Sequence, residues 1–445
     1  MTVHSMDSLE LQDFAERLRQ PDSLISIRGR LMAIGPKGMI ISGLSKTASL
    51  ESFVSIEGKS GNCLGEVVFI DRDQIIAKPV KSNGKVHLGD IVRALGSMQV
   101  YPTEKWKGRL ISGLGEPLDS KGPLPRGTQA IGFHGNPPAA AERRPIAQRL
   151  KTGIRTIDIF TPLCIGQRMG IFAGSGVGKS TLMGLLARAS SFDCVVVALV
   201  GERGREVTDF VHHVLGPALE KSIVVIATGD ETASLRKRAA LLATSLAEFY
   251  RDQGQNVLLL MDSVTRYAQA LRELALAGGE PPVSRGFPPS VFSDLPKLLE
   301  RSGPGAQKGT ITGIYSVLVE GDNHNEPIAD AIRGTLDGHI VLNRQIAASG
   351  RYPAIDILDS VSRLIDRALT KDEMKISNDL RNLVSRFEDS KDLRALGGYQ
   401  TGKDLELDRS VAFVPRLYAA LNQARTDVTD QDSFAALAEL TRLGK

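Results

Sequence analysis

Along this chain the rhythm of apolar positions changes several times, and each change marks a different kind of element. In the first twenty residues Met6, Leu9, Phe14 and Leu18 stand among charges. That near-helical spacing predicts an amphipathic helix. Such a helix either docks on its own domain or binds a partner, and spacing leaves both open. From Ser26 to about Leu95 short β-rich runs (ISIRGRLMAI, GMIISGL, CLGEVVFID, QIIAKPV, DIVRAL) alternate with turn residues. Several short strands at close spacing predict a small barrel or sandwich. No catalytic constellation appears there, which suits an assembly module.

A Pro- and Gly-rich passage from Gly113 to Pro145 follows. Its composition predicts a long surface connection. From Arg155 to about Gly350 apolar runs then alternate with longer amphipathic ones. Strands are expected at Arg168–Phe172, Cys194–Val200, Ser222–Thr228, Val257–Met261 and Thr310–Val319, and helices at Lys179–Ala189, Arg205–Leu219, Ser234–Asp252 and Ser263–Leu276. That alternation predicts an α/β fold, a mostly parallel sheet covered on both faces. Beyond Arg363 the text turns charged and helical, breaks at GGYQTG, and resumes as helix. The expected segments are 1–25 (helix), 26–95 (β-barrel), 96–365 (α/β domain) and 366–445 (helical C-terminal domain).

Composition narrows the function without naming it. A chain of 445 residues corresponds to about three domains by the length prior. Its 55 basic and 51 acidic residues nearly balance, and a dedicated nucleic-acid binder usually carries a concentrated basic face. Cys63, Cys164 and Cys194 lack metal spacing, so they read as reduced thiols of a cytosolic protein. No secretory signal opens the sequence, and runs such as CVVVALV are too short to cross a bilayer.

The chemistry concentrates in MGIFAGSGVGKSTLMGLLARA. Residues Ala173, Gly174, Ser175, Gly176, Val177, Gly178, Lys179, Ser180 and Thr181 match a phosphate-binding loop, with Ala173 in place of the first glycine. Here the loop follows an expected strand and opens an expected helix, the context that confirms such a motif. Backbone N–H groups and the positive helix end favour phosphate. Lys179 would reach the β- and γ-phosphates, and the Ser180 hydroxyl would ligate magnesium. Asp262 closes the apolar run NVLLLMD; a carboxylate at that strand end suits magnesium and can also cap the next helix. Glu202 and Arg203 lie just past another strand end. They fit a water-polarising carboxylate and a γ-phosphate contact, or equally a surface ion pair. No N-K-x-D stretch reads guanine, so adenine is the default base. Tyr352 offers a stacking surface, or is a packing residue.

Together AGSGVGKST, VGERGRE, LLLMDSVTRYAQA and SGRYPAIDILDSVSRL resemble the catalytic subunits of rotary and secretion ATPases, the RecA-like group that holds the F-type synthase β subunit. GEPPVSRGFPPSVFSDLPKLLERSG and VLVEGDNHNEPIADAIRGTLDGHIVLNR are similar to the type III export branch, and DIFTPLCIGQRMGIFAGSGVGKSTL to its flagellum-specific members. The resemblance covers Arg28 to the C-terminus. It implies that Glu202 is the catalytic glutamate, Arg203 its neighbouring γ-phosphate contact and Tyr352 the adenine-stacking aromatic. Arg363, in SVSR, would be an arginine finger for a neighbour's site. The implied cofactors are ATP and Mg2+, and the implied assembly is a homohexamer.

The resemblance further implies a stator-like regulator on the N-terminal segment, a stalk-like protein in the ring pore, the membrane export gate, and export substrates with their chaperones. The implied location is cytoplasmic, peripheral at the inner-membrane export apparatus. A virulence secretion ATPase shares this chemistry. A proton-translocating synthase subunit fits less well, because Glu202 and Arg363 occur in one chain. An RNA translocase would need an aromatic-studded barrel, and the barrel segment offers only Phe53 and Phe69. A non-enzymatic scaffold would leave the complete hydrolytic set unexplained.

Overall fold

The computed structural model describes residues 27–59, 61–82, 85–139, 141–174, 176–306, 308–319, 326–423 and 431–442. The expected N-terminal helix and Ser175 lie outside these residues. Two compact units emerge, each with its own core.

The first is a closed antiparallel barrel. Strands β1 (Arg28–Gly35), β2 (Gly38–Ser42), β3 (Phe53–Gly58), β4 (Gly61–Ile70), β5 (Gln74–Ser82) and β6 (Ile91–Gly96) close in the order β1-β2-β5-β4-β3-β6. Alternation aims Leu31, Ile41, Val54, Ile56, Val67, Ile75 and Val92 inward, and closure removes the free edges of the sheet. Phe53 belongs to the buried interior, whereas Phe69 is exposed.

The second unit carries the nucleotide-binding core. Strand β7 (Arg109–Ser112) precedes a short ribbon, β8 (Arg149–Leu150) with β9 (Leu163–Cys164). Then come β10 (Arg168–Ala173), β11 (Cys194–Glu202), β12 (Ser222–Thr228), β13 (Asn256–Asp262), β14 (Gly303–Pro304), β15 (Thr310–Leu318), β16 (Gly338–Leu342) and β17 (Ile355–Ser362). The sheet runs β17-β16-β10-β15-β13-β11-β12-β7, and β14 pairs with β15. Its pairings are parallel except at β16–β17 and β14–β15. The central strands are buried on both faces, so they read as unbroken apolar runs. Val195, Val197, Leu199, Leu258, Leu260 and Ile314 pack with Leu182, Leu185 and Leu186 of the helix after the phosphate loop.

Two expectations need correction. The passage from Gly113 is not a free surface connection. It leaves the sheet from β7 and folds back, burying Leu114 and Phe133. Arg109 Nε and Nη2 hold Asp119 at 2.9 and 2.8 Å, both side chains being almost fully buried. That ion pair is the main reason the Asp119 carboxyl is held down to about 2. A four-residue strand opening on arginine is too short for a periodicity signal. The second correction concerns Arg205–Leu219. An α-helix covers Gly204–Asp209, a π turn Phe210–Leu215 and a 3-10 turn Gly216–Lys221. Gly216 takes a positive φ of 50° and Pro217 offers no N–H, so one continuous helix cannot run through.

The C-terminal helices Lys371–Asp389, Leu405–Leu421 and Ser433–Arg442 belong to this same unit. Thr370 and Glu373 form a reciprocal cap on the first. Leu380, Val384, Val414, Leu417 and Leu421 bury against Ile159, Phe160 and Ile357. These helices therefore share a core with the flank of the sheet. Among the described residues no helix is long and apolar enough to cross a membrane.

Candidate functional site

The carboxyl ends of parallel strands form the ligand-binding edge of an open α/β sheet. There β10 ends at Ala173, and the helix Lys179–Ala187 opens after the loop. Gly176 and Gly178 take φ of +79° and +97°, and no atom lies within 4 Å of an ideal Cβ at either. Backbone handedness rather than crowding demands glycine at both.

Asp262 closes β13, two strands from β10 in the sheet order, and Glu202 closes β11, the next strand on. Lys179 spans the gap. Its Nζ lies 2.5 Å from Asp262 Oδ1 and 3.8 Å from Glu202 Oε1. Ser316, on the intervening β15, donates to the same Asp262 oxygen at 2.6 Å. A register shift between Val200 and Glu202 leaves β11 irregular where it ends. The intervening Gly201 has φ +72°, and a Cβ there would meet Arg266 at 2.9 Å. Such a bulge re-aims the side chain that follows it, here Glu202.

Burial is the largest cause that pushes the Glu202 carboxyl up to about 8. The neighbouring Asp262 charge adds to the shift and Lys179 opposes it. A hydrogen bond with Glu202 in turn holds the Glu206 carboxyl down. An acid whose folded pKa exceeds its unfolded value costs stability as pH rises between the two. For Glu202 that window runs from about 4.5 to about 8. Glu202→Gln keeps the shape and removes the ionisation. In nucleotide-free protein with EDTA, the variant should gain melting temperature over the parent, by little at pH 5 and by several degrees at pH 8. Melting curves that stay parallel across this range would contradict the burial cost.

A cleft beside the phosphate-loop helix is assembled from distant segments. Gly176, Val177, Gly178, Thr181, Leu182 and Leu185 line a cleft whose other wall is Tyr352, Pro353, Ala354 and Gln423. Tyr352 is thus brought to the phosphate-loop helix. Arg203 is not brought in: its guanidinium is largely exposed and lies 3.5 Å from Glu206.

Arg363 stands elsewhere. Strand β17 runs antiparallel to β16, pairing Ser362 with Gly338, while β16 runs parallel to β10, pairing Leu342 with Ala173. The exposed Arg363 therefore follows β17 at the amino edge of the parallel strands, where its N–H donates to Asp337 O at 2.9 Å. At about 3.3 Å per residue, the five-residue offset puts it roughly 16 Å along the strand direction from the end of β10, and two strand spacings add to that. It cannot serve that loop.

Sequence reasoning missed Ser316, Glu206 and Gln423. Glu206 follows Glu202 by four positions, and Ser316 is a hydroxyl near the carboxyl end of a buried strand. Both signals were readable. Nothing local marks Gln423. The three cysteines are buried and form no disulfide with one another; burial pushes the Cys164 thiol up to about 11 and Cys194 to about 12, which leaves both inert.

Comparison with known proteins agrees with this geometry. Residues 153–362 match the family model for the ATP synthase alpha/beta family, nucleotide-binding domain, and residues 369–439 match the T3SS EscN ATPase C-terminal domain. The chain is 48% identical over 438 residues to the "Flagellum-specific ATP synthase" of Rhizobium meliloti (strain 1021), covering 98% of this chain and 94% of that protein. The chain belongs to the flagellum-specific branch of the ATP synthase alpha/beta family. It is an ATP hydrolase. In solved structures it is similar to the assembled ATPase EscN of the enteropathogenic E. coli type III secretion system, with TM-score 0.86 and 40% identity over 94% of this chain and all of that one. EscN in complex with its central stalk EscO gives TM-score 0.85 and 38% identity at the same coverage.

Proposed function

We propose that this chain hydrolyses Mg2+–ATP as a homohexameric ring and so energises the export of flagellar proteins. One observation carries the reading: Lys179, Asp262 and Glu202 converge at one phosphate loop, while Arg363 sits at the opposite edge of the same sheet. Each subunit then offers a site to one neighbour and a finger to the other. Exposed apolar side chains on the barrel (Met32, Ile34, Leu50, Leu88 and Leu95) support contacts between subunits.

The donor set fits magnesium. Ser180 opens the helix and the Asp262 carboxylate lies within reach of Lys179, so the protein presents hard oxygens, and such a cation completes its shell with phosphate and water. A magnesium ion held there by Ser180 and Asp262 would supply positive charge against the phosphates. The chain's own groups do the rest. The loop N–H groups and Lys179 hold the phosphates. Glu202 orients the attacking water and takes its proton. Arg203 rotates off Glu206 to the γ-phosphate, and Tyr352 stacks on adenine. The neighbour's Arg363 stabilises the charge that develops in transfer.

The N-terminal segment takes a stator-like regulator and the ring pore a stalk-like protein, as EscN takes its central stalk EscO. The ring works in the cytoplasm against the membrane export gate, receiving substrates and chaperones. Lys179→Ala tests the phosphate side. Loss of a charge-assisted contact of about 1.5–3 kcal/mol should weaken ATP binding by roughly 10- to 100-fold. Titration with a fluorescent ATP analogue reads this directly, and an unchanged Kd would remove Lys179 from the site.

A further inference from the structure

The main-chain groups of Tyr352 are tied to the far end of the chain. Its N–H donates to the Asn422 side-chain oxygen at 2.9 Å, and its carbonyl accepts from the Gln423 N–H at 2.8 Å. Asn422 and Gln423 directly follow the C-terminal helix Leu405–Leu421. One residue before Tyr352, the Arg351 guanidinium stacks 3.9 Å over the ring of Tyr418, on the last turn of that helix. Tyr418 is fixed in turn: its hydroxyl donates to Glu388 at 2.7 Å and its ring meets Phe387 edge-on. The buried Gln423 side chain anchors the segment to the core, accepting from the Arg155 N–H at 2.7 Å and donating to Gly153 O at 2.9 Å.

We infer that Asn422 and Arg351 are positioning residues for nucleotide binding: through them the C-terminal helical bundle holds Tyr352 against the phosphate-loop helix and sets the affinity for the adenine base. They touch the Tyr352 segment and not the wall of the base cleft, so they act through Tyr352. The clamp closes only when the helix Leu405–Leu421 is docked, because about seventy residues separate its halves in sequence. A shift of that helix therefore changes base affinity and leaves the phosphate contacts alone.

The inference rests on the assignment of Tyr352 to adenine, and the test keeps the two separable. In the full-length protein, Asn422→Ala removes the acceptor for the Tyr352 N–H. Loss of one such bond should raise KM for ATP and Kd for a fluorescent ADP analogue about fivefold, with kcat at saturating ATP unchanged. Binding of inorganic tripolyphosphate, which has no base, should not change. Asn422→Asp keeps an acceptor oxygen and should restore the parent KM. Arg351→Ala removes the stacking and leaves both hydrogen bonds, and should move KM in the same direction; it serves if Asn422→Ala melts early. A parent-like KM in both Asn422→Ala and Arg351→Ala, with Tyr352→Ala impaired, would overturn the clamp alone. A parent-like KM in Tyr352→Ala would overturn the adenine assignment beneath it. Equal loss of tripolyphosphate and ADP binding would mean general distortion and also overturn the clamp.

Discussion

Glu202→Gln should bind ATP as the parent does and turn it over at least about 100-fold more slowly, because proton abstraction by a placed base typically contributes 10²–10⁴. The argument begins with placement. Glu202 closes β11 beside the Lys179–Asp262 pair, within 3.8 Å of the Lys179 ammonium. It ends with ionisation. Burial keeps this carboxyl up near 8, so it holds protons more readily than an ordinary glutamate, as a base near neutral pH should. The amide keeps the volume and loses the basicity. Single-turnover hydrolysis with bound ATP separates the two effects. Normal binding with slow chemistry is expected, and near-parental turnover would take the catalytic role from Glu202.

Arg363→Ala should cost as much by another route. An arginine finger supplied from outside the site is worth about 10³–10⁵ in rate in the GTPase precedents. Arg363 follows β17 at the sheet edge opposite its own phosphate loop, so in the proposed ring its absence would be felt by a neighbour's site. The variant should assemble and bind nucleotide normally, because its visible contacts (Asp337 O from its N–H, Arg333 O from its guanidinium) are with main-chain carbonyls of its own chain. Specific activity of the parent should climb with protein concentration, and that of Arg363→Ala should stay flat. Activity independent of both concentration and Arg363 would mean a site complete within one chain.

What the sequence carried legibly was local. The phosphate loop is a contiguous pattern between a strand and a helix, and Asp262 and Glu202 are marked by apolar runs that stop at a carboxylate. Barrel strands were legible because each alternates over a few residues between turns. Two of the misses, β7 and Gln423, depend on long-range pairing. Strand β7 is a strand because β12 lies beside it. The break at Gly216 follows from the local Gly216–Pro217 pair, which the apolar rhythm runs past. Gln423 reaches the cleft beside the phosphate-loop helix only after the C-terminal helices dock. Residue resemblance supplied a role for Arg363, but its position away from its own loop required the antiparallel turn of β17.

The most direct test of a shared site is to mix the two inactive variants. A ring containing both Glu202→Gln and Arg363→Ala subunits has interfaces where an intact Glu202 meets an intact Arg363. ATP hydrolysis by the mixture should rise well above either variant alone and peak near equal proportions. If the mixture stays at the level of its components at every ratio, while assembly is confirmed by sedimentation, Glu202 and Arg363 do not act across one interface and the shared-site account is wrong.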